Sequence, residues 1–381
     1  MKVYIAGSTG MVGRSLVKRF TRDSSFEVLT TNSKELDLRN KSDVMDYFAN
    51  HKPDVVIDAA AKVGGIYANS TQPVDFLIDN LTIQNNLMTA ANEIDCTKFI
   101  FLSSSCVYPK LAKQPIKESY LLSGELERTN QAYAIAKIAG MKLIESFQSQ
   151  YGRKWFSVLP TNLYGEFDNF SKESSHVLPA MIRKFHEAKI NNEGVTLWGD
   201  GSPLREFLHV DDLADAVLLL LNTYKENESV NIGVGEDLSI MELSNLIKGV
   251  VGFKGQVYWD QTKPNGTPRK LLDISKLKNL GWEPKIDLVK GDALQTIPKF
   301  VNDNKWLVCS LLYLDFDLFK PTMCALENIV PRMPKGSIIA FDELANWDWP
   351  GETQALVQTL GVNNLEIRHF PWEPNVSYAI L

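Results

Sequence analysis

The sequence predicts an α/β fold built around a doubly wound parallel sheet, followed by a smaller domain. Short β-rich runs alternate with helical stretches through the first 150 residues. The predicted strands cover 2–6, 26–30, 54–58 and 98–102, and the predicted helices cover 41–50, 75–92 and 133–150. This alternation is typical of parallel strands joined by helices. Because ligands of such sheets bind at the carboxyl ends of the strands, we expect a site there.

A glycine-rich loop follows the first strand. Gly7, Gly10 and Gly13 have the GxxGxxG spacing, and 14–20 continues as a helix. These glycines permit a tight turn, close approach of the backbone to a pyrophosphate, and tight packing of helix on strand. The pattern predicts a Rossmann-type dinucleotide site. The other residues of the loop are Ser8, Thr9, Met11 and Val12.

The end of the second strand indicates which dinucleotide binds. NAD enzymes usually carry Asp or Glu here, which binds the ribose hydroxyls. In this chain no acid precedes Glu35, and Ser33 and Lys34 stand in its place. A polar and basic segment suits the additional phosphate of NADP, so we expect NADP(H) as the cofactor.

Three residues predict reduction of a carbonyl group. Ser104 follows the fourth strand, and Tyr133 and Lys137 lie on one face of a helix. The lysine would lower the pKa of the tyrosine and hold the nicotinamide ribose. The tyrosine would then donate a proton to the carbonyl oxygen as hydride reaches the carbon, while Ser104 polarises that oxygen.

A cysteine beside the serine adds a second chemistry. Reduction does not need Cys106, and an inert core thiol is its simplest interpretation. At the exit of a strand, next to a catalytic serine, we interpret it as a base that removes a proton from carbon beside a ketone. Inversion needs an acid on the other face of the sugar, and His176 is the candidate. The chain is therefore predicted to be both an epimerase and a reductase.

The composition argues against several other classes of protein. With 381 residues, 44% hydrophobic and 23% charged, the chain is predicted to be a soluble globular protein of one large or two modest domains. Its net charge of −6 argues against nucleic acid as a partner. No apolar run reaches the ~18 residues of a membrane span, and the start of the sequence lacks the features of a signal peptide. The four cysteines have no metal-binding spacing, so we expect reduced thiols, no metal and a cytoplasmic location.

Eight motifs together resemble the GDP-L-fucose synthase family of extended short-chain dehydrogenases/reductases. The two most specific are Lys62-Val-Gly-Gly-Ile66, preceded by Ala61, and Ser104-Ser-Cys-Val-Tyr-Pro-Lys110. The others are the glycine loop 7–13, Tyr133-Ala-Ile-Ala-Lys137, Pro160-Thr-Asn-Leu-Tyr-Gly165, Asp168-Asn-Phe170, Arg205-Glu-Phe-Leu-His-Val-Asp-Asp212 and Gly266-Thr-Pro-Arg-Lys-Leu-Leu-Asp273. The resemblance runs from Met1 to about Asn304.

The resemblance implies a reaction and the residues that carry it. GDP-4-keto-6-deoxy-D-mannose would be epimerised at C3 and C5 and then reduced at C4 by NADPH, giving GDP-L-fucose. Positions matching Cys106 and His176 act as base and acid in this family. The positions that line the NADP site are Leu102, Ser103, Ser104, Ser105, Lys137, Pro160, Thr161, Asn162, Leu163 and His176. The positions that bind the GDP part are Lys184, Trp198, Arg205, Asn265 and Lys270.

The resemblance also implies a homodimer, and the chain departs from the family at three positions. Similar enzymes pair through helices such as 75–92 and 133–150. Some members have arginine at the positions of Thr9 and Ser33 to hold the NADP phosphate, and others have arginine where Lys184 stands. Lysine cannot make the same bidentate contact, so we expect a weaker grip on the substrate.

The segment 305–381 has no counterpart in that family. Residues 301–381 contain 10 acidic and 5 basic residues and four of the eight tryptophans, a shift that predicts a boundary near residue 304. Its motifs resemble the C-terminal half of metal-dependent sugar O-methyltransferases of the macrocin type. These motifs are Leu314-Asp-Phe-Asp-Leu-Phe-Lys-Pro-Thr322, Pro331-Arg-Met-Pro-Lys-Gly336 and Phe341-Asp-Glu343.

The half of such a methyltransferase that binds S-adenosylmethionine is not in the sequence. We therefore expect a truncated C-terminal α/β half-domain without methyltransferase activity. Acids after its two predicted strands could hold Mg²⁺, or they could serve only as turn and capping groups. The predicted organisation is an NADP-binding domain at 1–157, to which later segments return, a mainly substrate-binding domain at 158–304, and this tail at 305–381.

Two alternatives remain open at this point. A nucleotide-sugar 4,6-dehydratase or 4-epimerase would share the scaffold. A dehydratase usually has a Thr-Asp-Glu trio where this chain has Ser104-Ser-Cys106, and a 4-epimerase does not need the thiol. A non-catalytic NADP-binding sensor is the alternative from another class, and the set of Ser104, Tyr133 and Lys137 argues against it.

Overall fold

The protein divides into two compact units. The computed structural model describes residues 1–172, 174–263, 265–284, 291–305, 307–370 and 373–381. The first unit spans Met1–Ile286 and the second spans Asp287–Leu381. None of the described helices is long and apolar enough to cross a membrane.

A six-stranded parallel sheet forms the centre of the first unit. Its order is β10-β5-β4-β3-β1-β2, and every pairing is parallel. The strands are β1 (Lys2–Ala6), β2 (Glu27–Thr30), β3 (Val55–Asp58), β4 (Lys98–Leu102), β5 (Phe156–Pro160) and β10 (Val230–Ile232). Their runs of Val, Ile and Phe suit a sheet covered on both faces. The predicted doubly wound parallel sheet is confirmed.

Helices cover both faces of this sheet. The helices of this unit are α1 (Met11–Phe20), α2 (Lys41–His51), α3 (Ile66–Thr71), α4 (Pro73–Glu93), α5 (Gln131–Tyr151), α6 (Val177–Asn191), α7 (Val210–Thr223), α8 (Ile240–Val250) and α9 (Ser275–Asn279). Of these, α6 and α8 pack in a separate apolar core. Successive side chains of a strand point to opposite faces, so Tyr4 lies in the core under α2, α4 and α5. Val3 and Ile5 lie in the core under α1 and α7.

A smaller region, called the small region below, lies at the carboxyl edge of the sheet. Its strands are β6 (Asn162–Tyr164), β7 (Val195–Trp198), β8 (Leu204–Arg205), β9 (Phe207–His209), β11 (Leu238–Ser239), β12 (Val257–Asp260) and β13 (Arg269–Lys270). They pair as β11-β8-β13, β12-β7 and β6-β9. A third apolar core, which includes Phe185 and Phe253, joins α6, α8 and these strands. The chain returns to the main sheet through β10, which pairs with β5.

The second unit is a small α/β layer of its own. Its elements are α10 (Ala293–Asp303), β14 (Leu311–Leu314), α11 (Phe319–Ile329), β15 (Ile338–Phe341), α12 (Gly351–Thr359), β16 (Ile367–Phe370) and β17 (Glu373–Ile380). The sheet order is β14-β15-β17-β16, with β14 and β15 parallel and β17 antiparallel to its neighbours. Because α10 packs on α11, the unit begins well before residue 304, where the composition shift had placed the boundary.

Candidate active site

The glycine loop lies between β1 and α1. Gly7 has a positive φ of 74°, which glycine adopts without strain. A Cβ on Gly13 would overlap the Gly7 carbonyl group, so the first turn of α1 can approach the loop only without a side chain. A Cβ on Gly10, the residue before α1, would meet only the Gly7 carbonyl oxygen, at an ordinary contact distance of 3.6 Å. The loop therefore leaves a cradle at a helix N-terminus, where backbone N–H groups bind a pyrophosphate.

The end of β2 is polar and carries no available acid. The Ser8 hydroxyl donates to the Thr31 carbonyl oxygen at 3.0 Å, which joins this end to the glycine loop. The Glu35 carboxylate accepts from the Asn32 N–H at 3.0 Å and so closes the local turn. Ser33 and Lys34 are exposed. The role of these two residues at the additional phosphate of NADP stays a prediction.

One cation at the glycine loop was missed by the sequence analysis. Arg14 Nε donates to the Thr9 carbonyl oxygen at 2.9 Å, and the guanidinium lies 4.4 Å from the centre of the Phe167 ring. Both contacts hold a positive charge beside the loop that has Thr9 instead of arginine. The signal was available, since Arg14 directly follows the last glycine of the motif.

The turn after β4 carries the serine and the thiol. The Ser103 N–H donates to the Val158 carbonyl oxygen at 2.8 Å, which extends the sheet by one residue. A single 3₁₀ turn, Ser105–Val107, follows, and the Ser104 hydroxyl caps it by accepting from the Cys106 N–H at 3.3 Å. Ser103, Ser105 and Cys106 are buried, whereas Ser104 is half-buried. The thiol is thus fixed two residues from the serine.

Helix α5 places the tyrosine and the lysine against this turn. Lys137 Nζ donates to the Leu102 carbonyl oxygen at 2.8 Å and lies 6.0 Å from the centre of the Tyr133 ring. Burial raises the pKa of Tyr133, and the charges of Cys106 and Asp58 act in the same direction. Burial lowers the pKa of Lys137. Desolvation therefore outweighs the lowering of the tyrosine pKa that the Tyr–Lys spacing led us to expect.

Asp58 is a buried carboxylate that the sequence analysis did not select. It ends β3 and is the register partner of Phe101, over whose ring Lys137 Nζ lies at 4.5 Å. Its Oδ1 accepts from the Ala60 N–H at 3.1 Å, and Oδ2 has no hydrogen-bond partner among the described residues. Burial raises the pKa of Asp58 to about 6, against the opposing charge of Lys137.

The charge of Lys270 acts on both the Cys106 thiol and the His176 imidazole. Burial raises the pKa of Cys106, and the charges of Lys270 and Lys137 and the Ser104 hydroxyl oppose that rise. His176 stands directly before α6, and desolvation lowers its pKa, helped by Lys270 and opposed by Asp168. Asp168 has a buried Oδ2 without a partner in the described part of the chain. Lys270 therefore acts on both predicted groups of the epimerisation.

Glu206, the residue after Arg205, anchors the segment that follows β5. Thr161 Oγ1 and Asn162 Nδ2 both donate to the Glu206 carbonyl oxygen, at 3.1 and 2.8 Å. The buried Glu206 carboxylate accepts the backbone N–H groups of Val234 and Gly235. These bonds fix Pro160, Thr161, Asn162 and Leu163 at the carboxyl edge of the sheet. The sequence analysis missed Glu206 because its partners are far away in the chain.

The residues predicted to bind the GDP part lie on the small region. Arg205 and Lys270 are register partners in β8 and β13, so both side chains lie on one face. Trp198 is 44% exposed at the end of β7. Lys184 Nζ donates to the Thr196 carbonyl oxygen at 3.2 Å. Asn265 Oδ1 already accepts from the Asp200 N–H at 3.0 Å, so this side chain also closes a turn.

Two acids of the second unit, Asp342 and Glu352, are held by hydrogen bonds within the unit. Tyr313 donates to Asp342, and the buried Glu352 carboxylate accepts the N–H groups of Phe316 and Glu343. Across the described residues, no group of three or more ligating side chains is placed to hold a metal ion. Asp342 and Glu352 therefore each have a hydrogen-bond partner elsewhere in the unit.

Comparison with known proteins places the chain in a class. The sequence profile of the NAD dependent epimerase/dehydratase family matches residues 3–233. The chain is 54% identical over 291 residues to GDP-L-fucose synthase 1 of Arabidopsis thaliana, covering 76% of this chain and 90% of that synthase. It is 49% identical over 302 residues to the GDP-L-fucose synthase of Escherichia coli strain K12, covering 77% and 94%.

A solved structure agrees with these relatives. The GDP-L-fucose synthetase of Naegleria fowleri bound to NADP superposes with a TM-score of 0.68 at 28% identity, covering 80% of this chain and 94% of that one. Fold and site together define an NAD dependent epimerase/dehydratase. Within that class, the chain belongs to the GDP-L-fucose synthase family.

Proposed function

We propose that this chain converts GDP-4-keto-6-deoxy-D-mannose into GDP-L-fucose, by epimerisation at C3 and C5 and NADPH-dependent reduction at C4. The observation that carries the proposal is the Cys106 thiol. It is buried on the same turn as Ser104 and packs against the helix that carries Tyr133 and Lys137. Reduction alone has no use for that thiol, whereas inversion beside a ketone needs a base.

Epimerisation follows from the acidity of the carbons beside the 4-keto group. The Cys106 thiolate takes the proton from C3 or C5, and the C–H electron pair moves into an enolate whose oxygen is held by Tyr133 and Ser104. His176 donates a proton to the opposite face of the carbon, which restores the ketone with inverted configuration. Proton exchange with water then resets the thiol and the imidazole. The step is an isomerisation and needs no oxidant or reductant.

Reduction uses the same oxygen. NADPH bound at the glycine loop would supply the hydride for C4. The Tyr133 phenol gives its proton to the O4 atom, and Ser104 donates a hydrogen bond to it. Because burial raises the pKa of Tyr133, the phenol holds its proton at neutral pH, as a proton donor must. Lys137, fixed by the Leu102 carbonyl oxygen, is placed to hold the nicotinamide ribose.

The glycine loop and the end of β2 fit the rest of the cofactor. The cradle in front of Gly10 would take the pyrophosphate, and Ser33 and Lys34 would hold the ribose phosphate of NADP(H). On the substrate side, Arg205 and Lys270 would bind the diphosphate of GDP, with Lys184 adding charge. Trp198 would cover ring surface, and Asn265 would offer its amide to the nucleotide.

We also propose a cytoplasmic homodimer. Val74 and Ile78 on α4 and Ile135 on α5 are 63%, 55% and 44% exposed, and α4 packs along α5. Pairing of these two helices with those of a second copy would bury the three side chains. Ile78→Glu should then give a monomer by light scattering, and an unchanged mass would contradict this interface. The four cysteines are free thiols, which suits a reducing compartment.

For the tail we propose an appendage without methyltransferase activity, derived from the C-terminal half of a macrocin-type sugar O-methyltransferase. Since α10 packs on α11, truncation after residue 304 would leave α10 without a partner, whereas truncation after residue 284 would remove the whole second unit. Both truncated proteins should keep NADPH-dependent turnover. Loss of turnover in both truncated proteins would show that the tail is needed for activity and would contradict this proposal.

The experiment that tests the main proposal is turnover of GDP-4-keto-6-deoxy-D-mannose by the purified full chain with NADPH. NADPH oxidation with formation of GDP-L-fucose is the expected result. Oxidation that yields a 6-deoxy sugar of another configuration would contradict the roles of Cys106 and His176. NADPH binding without turnover would favour the non-catalytic sensor.

A further inference from the structure

The segment Lys62-Val-Gly-Gly-Ile66 follows β3, and the chemistry above gives it no role. Two buried asparagines fix its backbone. Asn80 binds both backbone groups of Lys62, at 2.9 and 3.0 Å. Asn69 Nδ2 donates to the Gly64 and Gly65 carbonyl oxygens, at 2.7 and 3.1 Å. The segment is therefore held firmly by α3 and α4.

Gly65 touches the segment that precedes His176. Its N–H donates to the Ser174 carbonyl oxygen at 3.0 Å. A Cβ on Gly65 would overlap the Ser175 carbonyl oxygen. The φ of Gly65 is −69°, which any residue adopts, so glycine is needed here for space and not for backbone freedom. Ser175 is bonded to His176, so the position of this contact sets the position of the histidine.

The segment before His176 is also braced internally. The Ser174 hydroxyl contacts the Ser171 hydroxyl at 2.6 Å and accepts from Asn169 Nδ2 at 2.8 Å. A displacement of Ser174 and Ser175 would therefore be carried into His176 and the start of α6 instead of being absorbed locally.

The same segment contacts the element that touches Tyr133. A Cβ on Gly64 would lie 3.1 Å from the Phe76 ring, and Phe76 meets the Tyr133 ring edge-on at 6.4 Å. Gly64 thus faces the tyrosine side of the site, and Gly65 faces the histidine side.

We propose that Gly65 is a positioning residue for the epimerisation, and that its contact with Ser174 and Ser175 sets the reach of His176 to the sugar carbon. The inference rests on the proposed function, in which His176 is the acid. A displacement of about 1 Å is enough to slow a proton transfer about a hundredfold. Gly64 and Gly65 then help to determine which sugar is formed, because reduction without inversion gives a different product.

The test separates inversion from proton removal. In D₂O, Cys106 can remove a proton and return a deuteron to the same face once the thiol has exchanged with solvent. Exchange with retained configuration therefore reports on Cys106, and inversion reports on His176. For Gly65→Ala we expect the ratio of inversion to exchange to fall at least ~10-fold, with NADPH affinity unchanged.

Three further variants make the outcome decisive. Gly249→Ala, where an added Cβ meets nothing within 4 Å, is the matched control and should leave the ratio unchanged. Ser174→Ala loosens the segment without added volume and should lower the ratio less than Gly65→Ala does, so the proposal stays testable if that variant folds poorly. His176→Asn should lower the ratio most.

The outcomes distinguish the acid role of His176 from the positioning role of Gly65. If His176→Asn keeps the full ratio, the acid assignment of the proposed function is wrong. If His176→Asn loses inversion while Gly65→Ala and Ser174→Ala keep it, the positioning role of Gly65 is wrong. If Gly65→Ala lowers exchange, inversion and NADPH affinity equally, the glycine is merely structural and the proposal is overturned.

Discussion

Arg205 and Lys270 are register partners on the neighbouring parallel strands β8 and β13. Side chains at partnered positions share a face, so the Arg205 guanidinium and the Lys270 ammonium lie on the same face of these strands. Burial lowers the pKa of Arg205 to about 10, with Glu127 opposing the shift. Lys270 acts electrostatically on Cys106 and His176 as well. In the proposed function, the pair therefore joins substrate binding to the epimerisation site.

Replacing Lys270 should move the pH dependence of epimerisation. Burial holds the pKa of Cys106 above its ordinary value of 9.0, and Lys270 opposes that rise. Lys270→Met removes a positive charge, so the pKa of the thiol rises further and the basic limb of the exchange rate shifts to higher pH. At neutral pH the rate should fall roughly tenfold for each unit of that rise. Deuterium exchange at C3 and C5, measured from pH 6 to 10, checks this.

The control for Lys270 is a surface lysine. Lys254 is exposed and is not among the charges that act on Cys106. Lys254→Met should leave the pH profile where it is. An unmoved profile in Lys270→Met would mean that Lys270 only binds the nucleotide.

Removing the phenol should uncouple the two reactions. Tyr133→Phe lacks the proton donor for O4, so hydride transfer should fall about 10²–10⁴-fold. Exchange at C3 and C5 should continue more slowly, because Ser104 still contacts the oxygen of the enolate. NADPH oxidation and deuterium exchange are measured on the same sample. Equal loss of both would show that Tyr133 is needed for binding instead of reduction.

Asp58 should weaken the fold as the pH rises. Its pKa is raised to about 6 in the fold from an ordinary 3.8, so the folded protein binds the proton more tightly between these values. Protonated Asp58 therefore contributes up to about 3 kcal/mol to the free energy of unfolding below about pH 4. This contribution is lost as the pH rises to about 6. Asp58→Asn should be more stable than the parent at pH 7.5 and not at pH 4. Urea unfolding at both values tests this, and an equal difference at the two would contradict it.

Lys34 should discriminate between the two dinucleotides. An exposed ammonium beside a phosphate contributes at most about 1 kcal/mol, or fivefold in affinity. Lys34→Ala should therefore raise KM for NADPH up to fivefold and leave KM for NADH unchanged, since NADH lacks that phosphate. Equal effects on both cofactors would place Lys34 outside the phosphate site.

The parts of the fold that depend on neighbours in the sequence were predictable. The predicted helix at 75–92 became α4 (Pro73–Glu93), and the predicted strand at 98–102 is β4 (Lys98–Leu102). The glycine loop, Tyr133 and Lys137 also follow from local spacing.

The remaining features depend on distant segments meeting. Gly65 meets Ser175, and Glu206 binds Val234, only in the folded chain. Burial of Asp58 at the end of a central strand decides its protonation, and no local motif marks it. The boundary before α10 was missed because a composition shift does not report which helix packs on which.

The most direct test of the account is where solvent deuterium enters the product. In D₂O with unlabelled NADPH, the full chain should make GDP-L-fucose that carries deuterium at C3 and C5 and none at C4. Cys106→Ser should still reduce the unepimerised ketone slowly, to a product without deuterium at either carbon. A product of the parent chain without deuterium at C3 and C5, or full labelling by Cys106→Ser, would contradict the central claim that this thiol moves protons on carbon.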